Sequence, residues 1–227
     1  MSEKVDLVDS VEDDREIMYH FEEYAMKSSW SECCLCSCFL SIFSQSPEFS
    51  LKIQYNKRIL VLDLDETLVH CSFSPLPHFS MAIPVQIGDL TYSVYIQKRP
   101  YLDEFFSQIL PLFHVVIFTA SISQYANPVI DSICPSIPTE QRLFRESCKF
   151  SEGNYIKDLS IFDVPLNHII IVDNNPLSFR YQPENAIQSS TWMGQRDDLE
   201  LKNKILPILF ECLQSNDVRE TIRSYRE

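Results

Sequence analysis

Two aspartates one residue apart, Asp63 and Asp65, directly follow a short apolar run at Ile59–Leu62. Such a run predicts a buried strand, which delivers both carboxylates to the rim of a sheet. Two acids this close repel each other unless a cation lies between them. Carboxylate oxygens are ligands for a hard metal such as Mg²⁺. The pair alone is also compatible with a strand end that carries two solvated acids.

Two further apolar runs, at 115–118 and 169–172, also end on polar residues. Thr119 follows the first of these runs, and Asp173 and Asn174 follow the second. Continuous β-branched runs are typical of a sheet that is covered on both faces. Helix-like stretches at 101–110 and 122–133 lie between them. We therefore predict a doubly wound, mainly parallel α/β sheet with its ligand outside the carboxyl ends of the strands.

Residues 81–97 break this alternation of strand and helix. Two strand-like stretches at 81–85 and 90–97 are joined by a short turn that contains Gly88. This pattern predicts a small antiparallel β-insert after the first strand. Such an insert would overhang the carboxylate pair and could form a wall for a substrate.

The polar groups at the three strand ends are the set that phosphoryl transfer needs. A carboxylate can attack phosphorus, a metal can neutralise phosphate oxygens, and a hydroxyl and a lysine can hold the others. Thr119 lies where a strand turns into a helix, which directs backbone N–H groups toward an anion. A simple helix cap explains Thr119 equally well, and Asp173 with Asn174 alone would be an ordinary turn.

With these residues in place, the chain resembles the small C-terminal-domain phosphatases of the haloacid dehalogenase superfamily. The matching motifs occur in the order of that family between about residue 57 and the C-terminus: DLDETLVH at 63–70, KRP at 98–100, FTAS at 118–121, RLFRESC at 142–148, GNYIKDLS at 153–160 and IVDN at 171–174. The resemblance implies the fold predicted above and a protein phosphatase that depends on Mg²⁺.

The resemblance also implies a catalytic role for each strand-end residue. Asp63 would attack phosphorus and become an aspartyl phosphate, while Asp65 would protonate the leaving seryl or threonyl oxygen and then deprotonate the attacking water. Thr119 and Lys157 would hold phosphoryl oxygens, although a solvated surface lysine is the alternative for Lys157. Asp63, Asp65 and Asn174 would be the metal ligands. Because Asp65 must change protonation twice, it should contact the metal only through its backbone carbonyl.

Further residues would support this set or bind the substrate. Thr67 would stabilise the loop that carries the nucleophile, and Asp173 would support the metal ligands without binding the metal itself. Arg145 resembles an arginine that contacts peptide or phosphate, with a surface arginine of no role as the alternative. In this family a hydrophobic pocket takes a proline-containing peptide flank, and ordinary packing is the alternative for the matching positions: Phe73, Val85, Ile87, Val94, Ile122 and Tyr125.

The charge of the chain is concentrated at its N-terminal end. The 227 residues carry a net charge of -13, and residues 1–24 contain nine acids and two bases. The acidity of the remainder argues against a surface that coats nucleic acid. We predict an acidic, Cys/Ser-rich tail and linker at 1–50, and the phosphatase domain at 51–227.

Four of the eight cysteines cluster at Cys33, Cys34, Cys36 and Cys38. Zinc normally takes two pairs that are well separated in sequence, which this spacing does not offer. S-acylation beside apolar residues would give membrane attachment, and a reduced linker is the alternative. No secretory signal opens the chain, and the near-apolar stretch at 33–43 is too short to span a membrane. We therefore expect the nucleus or the cytoplasm, with an acyl-anchored membrane pool as a further possibility.

The function that we predict is hydrolysis of phosphoserine or phosphothreonine in proteins, with the RNA polymerase II tail as one candidate substrate. A catalytically idle scaffold that keeps this fold is the alternative from another class, and loss of Asp63, Asp65 or Lys157 would favour it. All three residues are present. The motifs at 142–148 and 153–160 argue against a phosphatase of small metabolites.

Overall fold

The structure of the protein is a computed structural model that describes residues 57–226. Three predictions lie outside these residues: the acidic tail, the cysteine cluster with its acylation, and the start of the domain at residue 51. They stay predictions from the sequence. Among the described residues, no helix is both long enough and apolar enough to cross a membrane.

Five parallel strands form the central sheet, as predicted. The three predicted apolar runs lie side by side at its centre, because each run is buried on both faces. Two short strands complete its edges. In spatial order the strands are β10 (Ala186–Gln188), β9 (Ile169–Asp173), β1 (Ile59–Leu62), β5 (His114–Phe118) and β6 (Arg142–Leu143).

The predicted insert is a separate antiparallel sheet of three strands. Its hairpin turns at Gly88, which has a φ of 59°, a conformation that glycine adopts without steric cost. A strand that was not predicted pairs with the hairpin. The order is β2 (Val69–Ser72), β4 (Leu90–Lys98) and β3 (Met81–Ile87), and a further hairpin pairs β7 (Lys149–Ser151) with β8 (Asn154–Ile156).

Helices cover the sheet close to the predicted positions. Tyr101 has a φ of 67°, so the first helix begins only at Leu102. Pro207 is the second residue of its α-helix, which continues directly from a π-helical segment. The α-helices are α1 (Leu102–Ile109), α2 (Ser123–Ile133), α3 (Leu206–Gln214) and α4 (Val218–Ser224). A π-helical segment is at Leu201–Ile205, and 3₁₀ turns are at Thr139–Gln141, Arg145–Ser147, Leu159–Ile161, Leu166–His168 and Pro183–Asn185.

The hydrophobic core has two parts, one on each face of the central sheet. Because side chains alternate along a strand, Leu60 and Leu62 pack on one face with the helices and the insert. Ile59 and Val61 pack on the other face, with Leu159 and neighbouring loops. The predicted fold class, a mainly parallel α/β sheet with a small antiparallel insert, is confirmed.

Candidate active site

The carboxyl ends of β1, β5 and β9 meet at one edge of the central sheet. Leu62 is in register with Ile117 on one side and Val172 on the other. The backbone N–H of Asp63 then donates to the carbonyl of Val172 over 3.0 Å, which extends the pairing by one residue. This register brings the polar residues that follow the three strands to a common point.

Lys157 lies directly between two of these carboxylates. Its ammonium Nζ is 2.5 Å from Asp63 Oδ1 and 2.6 Å from Asp173 Oδ2, and its side chain is only 1% exposed. The end of β8 positions it, with its backbone N–H bonded to the carbonyl of Ser178 at 2.7 Å. Burial alone would lower the pKa of Lys157, but the charges of Asp173 and Asp63 raise it above its ordinary value. Lys157 is therefore a buried cation beside the expected nucleophile and not a solvated surface lysine.

The second oxygen of Asp63 faces Thr67 and Asn174. Thr67 Oγ1 donates to Asp63 Oδ2 over 2.8 Å and lies 3.3 Å from Asn174 Oδ1. The amide nitrogen of Asn174 donates to Thr191 Oγ1 over 3.2 Å, which turns the amide oxygen toward Thr67 and Asp63. Asn174 therefore presents an oxygen on the same side as the Asp63 carboxylate.

Asp65 has a different environment from Asp63. Tyr125 donates its hydroxyl to Asp65 Oδ1 over 2.6 Å, and Ser121 donates to Oδ2 over 2.8 Å. Burial, followed by the charge of Glu66, raises the pKa of Asp65 from 3.8 to about 6 despite these hydrogen bonds. A carboxyl group with this pKa can exchange a proton near neutral pH.

Thr119 lies next to Asp65 at the end of β5. Its Oγ1 accepts the backbone N–H of Ser121 over 3.0 Å and is 3.4 Å from Asp65 Oδ2. The hydroxyl thus closes a turn before α2, but the N-cap of that helix is Ile122, so Thr119 is not a helix cap. Thr119 Oγ1 therefore lies at the same edge of the sheet as the carboxylate of Asp65.

A pocket of about 210 Å³ opens beside Asp65. Four of the predicted substrate-binding residues line it: Phe73, Ile122, Tyr125 and Arg145. Arg145 is fixed by a 2.7 Å hydrogen bond from its Nε to the carbonyl of Ala120. The remaining three predicted residues do not line this pocket, because their side chains point into the core of the insert: Val85, Ile87 and Val94. Their placement agrees with the packing alternative.

Three residues at the site were not assigned a role from the sequence. Ser121 holds Asp65, and Glu66 lines the pocket. Arg99 is buried and ties the site to the C-terminal part of the chain, with its guanidinium 3.0 Å from the carbonyl of Thr67 and 2.8 Å from Asp198 Oδ1. The predicted helix start at residue 122 could have indicated that Ser121 lies at this edge of the sheet. No local pattern announces Arg99, whose partner lies 99 residues away.

The donor groups fit a hard divalent cation. Asp63 and Asn174 present carboxylate and amide oxygens at the same edge, the ligand types that such cations take. Asp63 and Asp173 both contact the ammonium group of Lys157, and the charge of Asp63 also reaches Asp65, so three carboxyl groups share one ammonium group and the site has room for further positive charge. These residues, with the backbone carbonyl of Asp65, would hold the ion.

The fold and the site together define a mainly parallel α/β domain with an aspartate pair and a buried lysine at the carboxyl ends of its central strands. The family model of the NLI interacting factor-like phosphatases matches residues 58–219. The chain belongs to this family.

Named relatives occur in several different organisms. The chain is 46% identical over 162 residues to a probable C-terminal domain small phosphatase of Dictyostelium discoideum, covering 71% of this chain and 53% of the relative. It is 47% identical to CTD small phosphatase-like protein 1 of Caenorhabditis elegans, and the match covers 68% of this chain and 31% of the relative. It is 44% identical to human CTD small phosphatase-like protein, and the match covers 75% of this chain and 61% of the relative. The matched part of the chain thus spans between 31% and 61% of the length of these relatives.

A solved structure has the same fold. The RNA polymerase II CTD phosphatase Fcp1 of fission yeast, bound to beryllium fluoride, superposes with a TM-score of 0.52 at 21% identity, covering 74% of this chain and 54% of that chain. At this identity the likeness concerns the fold.

Proposed function

We propose that this protein is a Mg²⁺-dependent phosphatase of phosphoserine and phosphothreonine in proteins, and that it works through an aspartyl phosphate at Asp63. The observation that carries the proposal is the different setting of the two aspartates. Asp63 contacts a buried ammonium group at 2.5 Å, which stabilises a carboxylate anion. Asp65 instead accepts hydrogen bonds from Tyr125 and Ser121, and burial raises its pKa to about 6.

The first half of the reaction transfers the phosphoryl group to Asp63. The Asp63 carboxylate attacks phosphorus, and the bond between phosphorus and the seryl or threonyl oxygen breaks. Asp65, in its protonated form, donates its proton to that leaving oxygen. Lys157, already beside Asp63, binds a phosphoryl oxygen as negative charge gathers there. Mg²⁺, held by Asp63, Asn174 and the backbone carbonyl of Asp65, would neutralise the phosphoryl oxygens.

The second half returns the enzyme to its starting state. Asp65, now a carboxylate, takes a proton from water, which attacks phosphorus and releases phosphate from Asp63. Tyr125 and Ser121 hold Asp65 in one position through both proton transfers. A raised pKa suits this double role, because the group must lose and regain a proton close to neutral pH.

The names of the relatives support a phosphoprotein substrate. Human CTD small phosphatase-like protein and human carboxy-terminal domain RNA polymerase II polypeptide A small phosphatase 1 are 44% and 42% identical to this chain. We propose a serine- or threonine-phosphorylated protein, such as the C-terminal domain of RNA polymerase II, as the substrate. The apolar pocket beside Asp65 would take a residue that flanks the phosphorylated side chain.

The proposal is tested with phosphopeptides that carry phosphoserine, phosphothreonine or phosphotyrosine, each assayed with Mg²⁺ and with EDTA. We expect hydrolysis of the first two with Mg²⁺, and a loss of about 10³-fold or more in Asp63→Asn, because the nucleophile is removed. Asp103→Asn is the matched control, since Asp103 is a solvent-exposed acid that pairs only with Lys98 at the start of α1.

Each contrary result has its own meaning. Undiminished turnover by Asp63→Asn would contradict the nucleophile, and equal rates in EDTA would contradict the metal. A folded wild-type protein that binds phosphopeptides but hydrolyses none would support the scaffold alternative.

A further inference from the structure

A loop at residues 189–192, directly after β10, is hydrogen-bonded to the elements that carry the candidate site. The backbone N–H of Ser189 donates to the carbonyl of Asp173 over 3.0 Å, and that of Trp192 donates to the carbonyl of Glu66 over 2.8 Å. The 189–192 loop therefore bridges the end of β9 and the segment that follows β1, and these two segments carry the predicted metal ligands.

The buried guanidinium of Arg99 fixes the middle of the 189–192 loop. It donates to Ser190 Oγ over 2.7 Å and lies 3.3 Å from the Ser190 carbonyl. The same guanidinium donates to the carbonyl of Thr67 over 3.0 Å. The next residue, Thr191, therefore has a fixed position relative to the segment that follows β1.

The side-chain amide of Asn174 has two possible orientations, and only one of them suits a metal ion. A divalent cation binds an amide through its oxygen, whereas rotation of the amide by half a turn would present the NH₂ group. The hydrogen bonds around the amide decide between the two orientations. The amide nitrogen donates to Thr191 Oγ1 over 3.2 Å, which leaves Oδ1 on the side of Thr67 and Asp63.

Thr67 does little to favour one orientation over the other. Its hydroxyl proton is directed to Asp63 Oδ2 at 2.8 Å, so its contact with Asn174 Oδ1 at 3.3 Å is weak. In the rotated orientation the NH₂ group could donate to a lone pair of the same Thr67 oxygen, and the Asp63 carboxylate would also attract it. Among the described residues, the hydrogen bond to Thr191 is therefore the contact that favours an inward-facing amide oxygen.

We propose that Thr191 is a positioning residue of the metal site, whose hydroxyl holds the amide oxygen of Asn174 toward Mg²⁺. The inference rests on the proposed function, because it takes Asn174 to be a metal ligand. Without the hydroxyl, part of the metal-free protein would have the rotated amide, and the apparent affinity for Mg²⁺ would fall with the fraction that is correctly oriented.

The size of this effect follows from the position of Thr191. Groups that orient metal ligands typically change metal affinity by about 10–100-fold. Thr191 is exposed, so water can partly replace its oxygen as an acceptor. We therefore expect an effect at the lower end of this range.

The test measures the dissociation constant of Mg²⁺ by isothermal titration calorimetry of the full chain without a substrate. Thr191→Val removes the hydroxyl and nearly keeps the shape of the side chain, so the dissociation constant should rise about fivefold to tenfold. Thr191→Ser keeps the hydroxyl and should stay within about twofold of the wild type. Thr91→Val is the matched control and should bind Mg²⁺ as the wild type does, because Thr91 is an exposed threonine on β4.

A change of ligand separates an orienting role from a general effect on the loop. In Asn174→Asp the two carboxylate oxygens are equivalent, so rotation of this side chain does not change the atom that faces the metal. In the Asn174→Asp background, Thr191→Val should therefore alter the dissociation constant by less than about twofold. With Asn174 in place, Thr191→Val should hydrolyse p-nitrophenyl phosphate with a kcat within about twofold of the wild type at saturating Mg²⁺, since the hydroxyl only orients the ligand.

Three results would each overturn the inference. They are Mg²⁺ binding by Thr191→Val as tight as that of the wild type, a loss in Thr191→Ser as large as that in Thr191→Val, and a loss that persists in the Asn174→Asp background. Failure of the proposed function gives a different result, because the wild type itself then binds no Mg²⁺, and this inference fails with it. A wild type that binds Mg²⁺ and hydrolyses phosphopeptides, with the same dissociation constant as Thr191→Val, contradicts the role of Thr191 alone.

Discussion

The carboxylates of Asp63 and Asp65 are two residues apart in sequence but lie in different surroundings. Asp63 contacts Lys157 and Thr67, whose N–H and O–H groups stabilise a carboxylate anion. Asp65 contacts the hydroxyls of Tyr125 and Ser121 and has a pKa of about 6, because burial and the nearby charge of Glu66 disfavour its ionised form. In the proposed mechanism the environment, and not the residue type, separates the nucleophile from the acid and base.

Replacing Asp65 by asparagine should stop the reaction halfway. p-Nitrophenolate is a good leaving group that needs no proton, so the first half should proceed, whereas the water that attacks the aspartyl phosphate would lack its base. We expect Asp65→Asn to release about one equivalent of p-nitrophenol in a burst and then to turn over at least about 10²-fold more slowly than the wild type. Rapid-quench kinetics measures the burst.

Asp63→Asn is the control for this burst, since it lacks the nucleophile and should show none. A phosphoserine peptide should give no burst with Asp65→Asn, because its leaving oxygen does need the proton. Steady turnover of that peptide by Asp65→Asn at the wild-type rate would contradict the role of Asp65.

At the scale of elements, a buried arginine joins the site to the C-terminal helices. Arg99 follows β4 directly, and its guanidinium binds both carboxylate oxygens of Asp198, at 2.8 and 2.9 Å. The same group donates to the carbonyl of Thr67 and to Ser190 Oγ, on two loops around the site. Burial alone would raise the pKa of Asp198, but the hydrogen bonds and charge of Arg99 lower it below its ordinary value.

We therefore expect Asp198→Asn to lower the free energy of unfolding by about 3 kcal/mol at pH 7, because Arg99 would be left buried without its counter-charge. The lowered pKa sets the pH dependence of this difference. The stabilisation by Asp198 is fully present above its unfolded pKa of about 3.9 and is lost as the pH falls through the lower pKa of the folded state. Urea unfolding of both proteins between pH 7 and pH 3 measures it.

The control is Asp103→Asn, which removes an exposed ion pair with Lys98 and should cost at most about 1 kcal/mol. A difference between wild type and Asp198→Asn that stays constant down to pH 3, or that grows on acidification, would contradict the proposed role of the ion pair.

The strands that the sequence predicts correctly are those that a local pattern of apolar residues defines. The strands β1, β5 and β9 are apolar runs buried on both faces, so their composition announces them. The edge strands β6 and β10 have two and three residues and no such pattern, because their pairing depends on the neighbouring strand. Arg99 and Asp198 meet only through tertiary structure, which no local spacing reports.

The candidate site was predictable to a similar extent. The positions of Asp63, Asp173 and Asn174 follow from strand ends that share one edge, and the resemblance added Lys157. That Ser121 and Tyr125 share Asp65 depends on where tertiary packing places α2 and the turn before it, which the sequence does not report. The alternation of apolar and polar residues along the insert does not distinguish residues that line a pocket from residues buried in the core. Val85, Ile87 and Val94 were therefore predicted to bind the substrate, although their side chains are buried.

At the scale of the whole molecule, an acidic protein holds an acidic site that would bind a phosphorylated substrate. The net charge of -13 repels a phosphate group at long range. The site contains three aspartates, two of them in contact with Lys157, so a bound cation would both offset this charge and stabilise the fold.

We expect Mg²⁺ to stabilise the folded protein even without a substrate. A concentration about 100 times the dissociation constant should add about 2.7 kcal/mol, which for a domain of this size raises Tm by about 5–10 °C. Asn174→Ala should lose most of this rise. Asn167→Ala is the matched control, since Asn167 precedes β9 and lies at the opposite end of the strand from Asn174.

Differential scanning calorimetry with and without Mg²⁺ provides this measurement. A wild-type Tm that does not respond to Mg²⁺ would contradict a metal site at this edge of the sheet. An equal rise in Asn174→Ala would contradict the assignment of Asn174 as a ligand.

The central claim is that the side chain of Asp63 carries the phosphoryl group during turnover. Acid-quenched Asp65→Asn protein, mixed with p-nitrophenyl phosphate and Mg²⁺ and mapped by peptide mass spectrometry, tests it most directly. The account predicts the added mass of one phosphoryl group on the peptide that contains Asp63, and none in the Asp63→Asn, Asp65→Asn double variant. A phosphoryl group on any other residue, or a burst of p-nitrophenol that leaves the protein unmodified, would contradict it.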